Sequence, residues 1–266
     1  MEVNHVTRLF QARRAPHDGR MPAPLIVLFT DFGVTGPYVG EMKARLALGA
    51  PGVPVIDLIS DAPRFNPKAA AYLLAALAPG FPVDTVLLAV VDPGVGTAER
   101  LPAAVLADGR WYVGPGNGLF DVVARRADVC EWQDILWDGP LSASFHGRDL
   151  FAPIAAQIAC DITRHGKPVP RPARLMPNWP EDLREVIYLD SYGNAWTGLR
   201  AAGVATTATV TVNGHMLRHA RTFGAAPVGQ AFWYENSSGM VEIAVNRGHA
   251  GETLGLAIGT PISVSA

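Results

Sequence analysis

Leu25-Ile26-Val27-Leu28-Phe29-Thr30-Asp31-Phe32-Gly33 decides the fold class of this chain. The continuous apolar run from Leu25 to Phe29 reads as a strand buried on both faces, the pattern of a parallel sheet covered by helices. Asp31-Phe32-Gly33 breaks it. Tyr38 to Leu48 then reads as a helix and Val53 to Ile59 as a second strand, weakened at its start by Pro54. Pro67 to Ala78 is an alanine-rich helix with proline well placed at its first position. Thr85 to Val91 is a third strand. A β-α-β-α-β order with connecting helices predicts an α/β domain with a mainly parallel sheet. Further on, Ala103 to Leu106 and Trp111 to Val113 flank Asp108-Gly109, a hairpin signal. Leu119 to Ala127 and Asp149 to Cys160 read as helices.

Composition shifts at Lys167 to Pro180, where prolines 168, 170, 172, 177 and 180 mark a stiff linker. Beyond it helix signals fade. Glu185 to Leu189, Thr207 to Val212, Val241 to Val245 and Leu254 to Ile258 read as strands, and Asn213-Gly214 as a hairpin turn. The expected layout is a disordered extension over 1–24, in which Met21 is a second possible start, an α/β domain over 25–166, a linker over 167–182 and a smaller all-β domain over 183–266.

The 266 residues are 49% hydrophobic and 17% charged with a formal net charge of −2, which places the chain among globular proteins. Nucleic acid is not the expected partner, since phosphate binding wants a basic surface. No apolar run reaches the roughly 20 residues that span a bilayer, so no membrane is expected. Cys130 and Cys160 form no zinc or CxxC spacing and are expected in the core of a reduced, cytoplasmic protein.

Asp31 and Asp92 each follow an apolar strand and precede glycine-rich turns, Gly33 to Gly36 and Gly94 to Gly96. Strand ends of α/β sheets are where ligands bind, and glycine lets backbone approach a ligand. Asp57 lies inside its run, and the sequence leaves its role open. His146 in Phe145-His146-Gly147-Arg148-Asp149 is of the residue type that most often moves protons near neutral pH. Arg148 or Asp149 could instead bond it. His215 and His219 read as surface residues near a turn. Asp190-Ser191-Tyr192-Gly193-Asn194 and Asn236-Ser237-Ser238-Gly239 read as turns that could also present polar groups to a ligand.

Taken in order, these motifs resemble one family. Thr30-Asp31-Phe32-Gly33 with Pro37-Tyr38-Val39-Gly40, Val91-Asp92-Pro93-Gly94-Val95-Gly96-Thr97, Gly114-Pro115-Gly116-Asn117-Gly118, Phe145 to Asp149, Asp190 to Asn194 and Asn236 to Gly239 are similar to the S-adenosyl-L-methionine hydroxide adenosyltransferases, relatives of fluorinase and chlorinase. The resemblance runs from Leu25 to about Ile262. It implies a barrel-like C-terminal domain and a homotrimer with active sites between subunits. It also implies hydrolysis of S-adenosylmethionine to adenosine and L-methionine by water attack at ribose C5′. No cofactor or metal is implied, because S-adenosylmethionine is the substrate.

The resemblance further assigns roles. Asp92 and His146 match two members of an Asp-Arg-His set that holds the water. The family arginine falls two residues after the threonine, at Glu99 here, and Arg100 is the neighbouring third member. Asp31 matches the residue that binds the ribose hydroxyls, and Phe65 and Phe145 match pocket walls. Tyr192 and Asn194 match adenine contacts. Asp190 and Ser237 match methionine contacts, and Val245 and Arg247 match backbone contacts to adenine. Gly36 stands where the family often has Asp. Halogenating members carry serine at the position of Gly147 and other residues at Asp92 and His146. Two rivals remain at this level: a metal-dependent phosphohydrolase with Asp31, Asp92 and His146 as ligands, and a non-catalytic adenosine or S-adenosylmethionine binder, which Glu99 and Gly36 favour.

Overall fold

The computed structural model describes residues 24–97, 100–160, 166–170 and 175–265. The expected extension, apart from its last residue, and Glu99 lie outside the described residues.

The opening run forms β1 (Leu25–Thr30), which is buried along nearly its whole length because β2 (Val55–Ile59) and β3 (Thr85–Val90) flank it in parallel. Helix α1 (Tyr38–Gly49) links β1 to β2. Helix α2 (Pro67–Leu77) links β2 to β3; Asn66 caps it by accepting the Ala69 N–H at 3.0 Å, and Pro67 presets the first turn. Next come the hairpin strands β4 (Pro102–Ala107) and β5 (Arg110–Pro115), helix α3 (Asp121–Arg126) and β6 (Cys130–Ile135). A π-helical turn at Gly147–Phe151 opens α4 (Ala152–Ala159), and β7 (Gly166–Val169) closes the sheet. Strand order is β2-β1-β3-β5-β4-β6-β7.

The mainly parallel expectation needs correction. The β1–β2, β1–β3 and β3–β5 ladders are parallel; the β4–β5, β4–β6 and β6–β7 ladders are antiparallel. Strands β4 and β7 run against the other five, so each ladder they make is antiparallel; the Asp108-Gly109 turn joins β4 to β5, which returns parallel to β3. Helices α2 and α3 cover one face and α1 and α4 the other, giving two apolar layers around one sheet.

The expected linker is not a free spacer. Lys167, Pro168 and Val169 pair with β6 as the edge strand. Leu175 and Trp179 pack on the α2 side of the core, and Arg125 donates to the carbonyls of Trp179 at 2.7 Å and Met176 at 2.9 Å.

The C-terminal part comprises β8 (Leu183–Leu189), β9 (Ala195–Arg200), β10 (Thr209–Val212), β11 (His215–Leu217), β12 (Ala231–Glu235), β13 (Met240–Val245) and β14 (Ile262–Ser265). They form two antiparallel sheets, β12-β13-β9-β8 and β11-β10-β14. Isolated bridges, Glu185 to Pro261 and His219 to Trp233, link the sheets at both edges in place of continuous ladders. Asn213-Gly214 turns β10 into β11 as expected. Leu254 to Ile258 is not a strand: it follows the short helix α5 (Ala250–Thr253), with Gly255 and Gly259 at positive φ. Leu254 and Leu256 are buried from a turn, so their alternation mimics a strand. His219 is half-buried and stacks on Trp233 at 4.7 Å, unlike a simple surface residue. Cys160 is exposed at the end of α4, where the chain leaves the core, and Cys130 is half-buried at the start of β6. Among the described residues, no helix is long and apolar enough to cross a membrane.

Candidate active site

Two strand ends build the cavity at the edge of the parallel strands. Asp31 leaves β1 and Asp92 leaves β3, neighbours in the sheet. The Asp31 carboxylate accepts the Phe65 N–H at 3.2 Å. Phe65 adopts φ +55, the left-handed region that a bulky residue rarely enters, and its ring is 75% exposed. Backbone held in that region clusters at active sites and ligand clamps. Burial pushes the Asp31 carboxyl above its ordinary value, against the Phe65 N–H and Arg64, which lower it.

Asp92 is nearly buried and paired with Arg100. Arg100 is anchored in turn, donating to the Gly94 carbonyl at 2.6 Å and to Thr97 Oγ1 at 3.4 Å. The loop from Asp92 to Thr97 packs hard against the chain before His146. At Gly96, φ is +80 and a Cβ would lie 2.2 Å from the Ala143 carbonyl oxygen, so only glycine lets the two segments meet. Asn117, from the Gly114 to Gly118 motif, donates to the Val91 carbonyl at 2.9 Å and fixes the backbone just before Asp92.

His146 occupies the N-terminal flank of the π-helical turn, a distortion frequent at functional sites. Neither Arg148 nor Asp149 bonds it. Arg148 reaches Glu41 on α1 at 2.6 Å and Asp149 at 2.7 Å, and Asp149 accepts the Ser142 N–H at 3.0 Å. That network pins the turn and leaves the imidazole without a hydrogen bond among the described residues. Burial, then the Arg100 charge, lowers the His146 pKa, while Asp149 raises it. The ring is therefore neutral and able to accept a proton near pH 7.

Asp31, Phe65, Asp92, Phe145 and His146 line one cavity of about 460 Å³. Phe32, Tyr38 and Phe145 form its aromatic side, with ring centroids 5.3–5.8 Å apart. Asp57 is elsewhere, ion-paired to Lys43 at 2.7 Å. Among the described residues, no three His, Cys, Asp or Glu side chains are grouped to hold a metal ion. The donor set that the phosphohydrolase reading needs is thus not assembled.

The other residues that the resemblance singles out lie in the C-terminal sheets. Asp190, Tyr192, Asn194, Ser237, Val245 and Arg247 line a separate cavity of about 780 Å³. Asp190 organises its own turn, accepting from the backbone of Tyr192 and Asn194 at 2.9 Å and from Asn194 Nδ2 at 3.1 Å. Tyr192 is 78% exposed. Ser237 and Arg247 are exposed on turns, Arg247 at φ +58, and Val245 is buried at the end of β13. The two cavities share no residue within one chain.

Several lining residues have no role assigned from sequence. Tyr38, Glu41, Ser142, Ser144 and Arg148 join the first cavity; Trp196, Phe223, Tyr234, Asn236 and Glu242 join the second. Tyr38 and Arg148 stand inside quoted motifs. Tyr234 and Glu242 face each other across β12 and β13, where the Tyr234 hydroxyl donates to the buried Glu242 and Asn236 donates at 2.8 Å. Burial raises the Glu242 pKa, and no local pattern announces this pair.

The family models for the SAM hydroxide adenosyltransferase N-terminal and C-terminal domains match residues 26–166 and 184–263. The chain belongs to the SAM hydroxide adenosyltransferase family. An (R)-S-adenosyl-L-methionine hydrolase of Thermus thermophilus is 42% identical over 89% of this chain and 98% of its own. A protein of the same name from Salinispora arenicola is 34% identical over 91% and 98%. A fluorinase of Nocardia brasiliensis is only 23% identical, over 91% and 96%. A crystal structure of an uncharacterized conserved protein from Thermotoga maritima superposes with a TM-score of 0.79 at 29% identity, covering 91% of this chain and 100% of that one.

Proposed function

We propose that this chain hydrolyses S-adenosyl-L-methionine to adenosine and L-methionine by attack of water on ribose C5′. The observation that carries the reading is the meeting of Asp92, paired with Arg100, and His146, which has no hydrogen bond among the described residues, in the same cavity as Asp31. Asp31 takes the ribose hydroxyls, and Phe65 and Phe145 wall the sugar. Asp92 orients the water and His146 receives its proton. The C5′–O bond forms as the C5′–S bond breaks, and the electron pair goes to sulfur, so methionine leaves as a neutral thioether. A sulfonium needs no acid to leave, so positioning, exclusion of bulk water and the base suffice without a metal. Arg100 supplies the cation beside Asp92, which answers the departure at Glu99 and weakens the case for a mere binder.

Asp190 and Ser237 take the methionine part. Tyr192, Asn194 and the backbone of Val245 and Arg247 take adenine. Because these lie in a separate cavity, a homotrimer completes each site, with the Asp31 cavity of one subunit facing the Asp190 cavity of the next. The exposed thiol of Cys160 suits a reducing cytoplasm. Gly147 supports a water-using site. A Cβ there would stand 3.2–3.3 Å from Met42, Phe145 and Phe32, so the serine of halogenating members would crowd this pocket.

Purified protein incubated with S-adenosylmethionine, with and without EDTA, should release adenosine equally. S-adenosylhomocysteine should react far more slowly, since its sulfur would leave as a thiolate. Equal turnover of the two compounds would refute the sulfonium mechanism, and loss of activity in EDTA would refute metal independence.

A further inference from the structure

Asp92 and His146 line two cavities. One is the Asp31 cavity. The other, of about 410 Å³, is bounded elsewhere by Arg100 and by apolar side chains that include Leu101, Pro115, Leu136, Trp137 and Leu141. The two cavities have Asp92 and His146 in common and no other lining residue. Leu136 and Leu141 stand at its open side, 69% and 43% exposed.

We infer that this second cavity is the entrance for the nucleophile, selective for small neutral oxygen compounds. The inference rests on the hydrolase reading. In-line displacement needs the nucleophile opposite the leaving sulfur. A nucleoside seated beside Asp31 plugs the first cavity, so a nucleophile can then reach Asp92 and His146 only from the other side. The apolar walls set the selectivity. An anion must shed part of its water against Leu101, Leu136 and Leu141, and the one cation at the wall, Arg100, is already neutralised by the Asp92 carboxylate, whose charge the anion then meets. Water or a small alcohol carries no such penalty.

Methanol makes the entrance visible. Its oxygen would bond to C5′ as the C5′–S bond breaks, its proton would pass to His146, and the products would be 5′-O-methyladenosine and methionine. The experiment compares the wild type, Leu141→Ala and Leu141→Trp acting on S-adenosylmethionine in dilute aqueous methanol. Chromatography follows adenosine, the methyl ether and methionine. Opening the mouth with Leu141→Ala should raise the ether-to-adenosine ratio about threefold or more, and Leu141→Trp should lower it while cutting kcat about tenfold with KM little changed. The ratio is taken within one reaction, so a smaller active fraction in either variant does not alter it. A ratio equal in all three proteins, or no ether from any of them, overturns the entrance. No methionine release by the wild type instead overturns the hydrolase reading itself.

Discussion

Arg100 covers the Asp92 carboxylate, and that one contact governs how the residues around it behave. Removing it with Arg100→Met leaves a buried carboxylate uncompensated. The expected loss is about 3–5 kcal/mol of stability, read as a fall in denaturation midpoint. The same change should move the pH profile. His146 has a lowered pKa, chiefly from burial and then from the Arg100 charge. The acid limb of kcat should therefore fall below pH 6.5, the ordinary histidine value, and shift upward in Arg100→Met. The linkage has the matching sign. Unfolded His146 takes its proton first, so its contribution to stability is complete above pH 6.5 and is lost as pH falls through the folded value. Asp92→Ala and His146→Ala should each cut kcat about 10²–10⁴-fold, with adenosine affinity nearly unchanged in calorimetry. Asp31→Ala should do the reverse, weakening adenosine about 10- to 100-fold through loss of charge-assisted hydrogen bonds. Near-normal turnover in both Asp92→Ala and His146→Ala would remove those two residues from the chemistry.

Elements were legible where one physical signal dominated. The both-faces-buried strands β1 and β3 show as continuous apolar runs, and α2 shows by its Asn66-Pro67 start and its alanines. Strand β6 did not, because Glu131, Gln133 and Asp134 interrupt its pattern although Gln133 and Asp134 are buried. Strand β9 hides behind Gly198, which is glycine because a Cβ would stand 2.6 Å from Leu183 Cβ on β8. Strands β11 and β14, of three and four residues, are too short to show a period. The candidate site follows the same division. Asp31, Asp92 and His146 sit at chain exits, which sequence marks with glycines. The Arg148 link to Glu41 and the Tyr234–Glu242 pair are contacts between elements, which it does not mark. Strand β8 also belongs to two layers, since Leu183 and Ile187 pack in the N-terminal core beside α2. Ile187→Ala should cost about 2–4 kcal/mol and lower the melting of both parts together in one calorimetric transition. Two separated transitions would show that β8 does not couple them.

At the scale of the whole molecule, each chain carries two separate cavities with unlike linings. If neighbouring subunits join them, two inactive variants can rescue each other. Co-expressed Asp92→Ala and Asn194→Ala chains should form mixed trimers in which about a quarter of the sites draw both intact halves from different subunits. Activity near that fraction of wild type, with light scattering at three chains, is the expected result; no rescue would place both halves of each site in one chain. Arg126 supports the geometry within each chain. It donates to the Glu181 carbonyl at 2.8 Å and pairs with Asp182, which Arg200 on β9 holds at 2.7 Å, so the two parts are tied at a fixed junction. Hydrolysis at C5′ makes one new bond, between water oxygen and carbon. Turnover of S-adenosylmethionine in ¹⁸O-labelled water, followed by mass spectrometry of both products, tests it most directly. The label should appear once in adenosine, on the 5′-hydroxyl, and not in methionine. Unlabelled adenosine, label in methionine, or no adenosine at all would contradict attack by water at C5′.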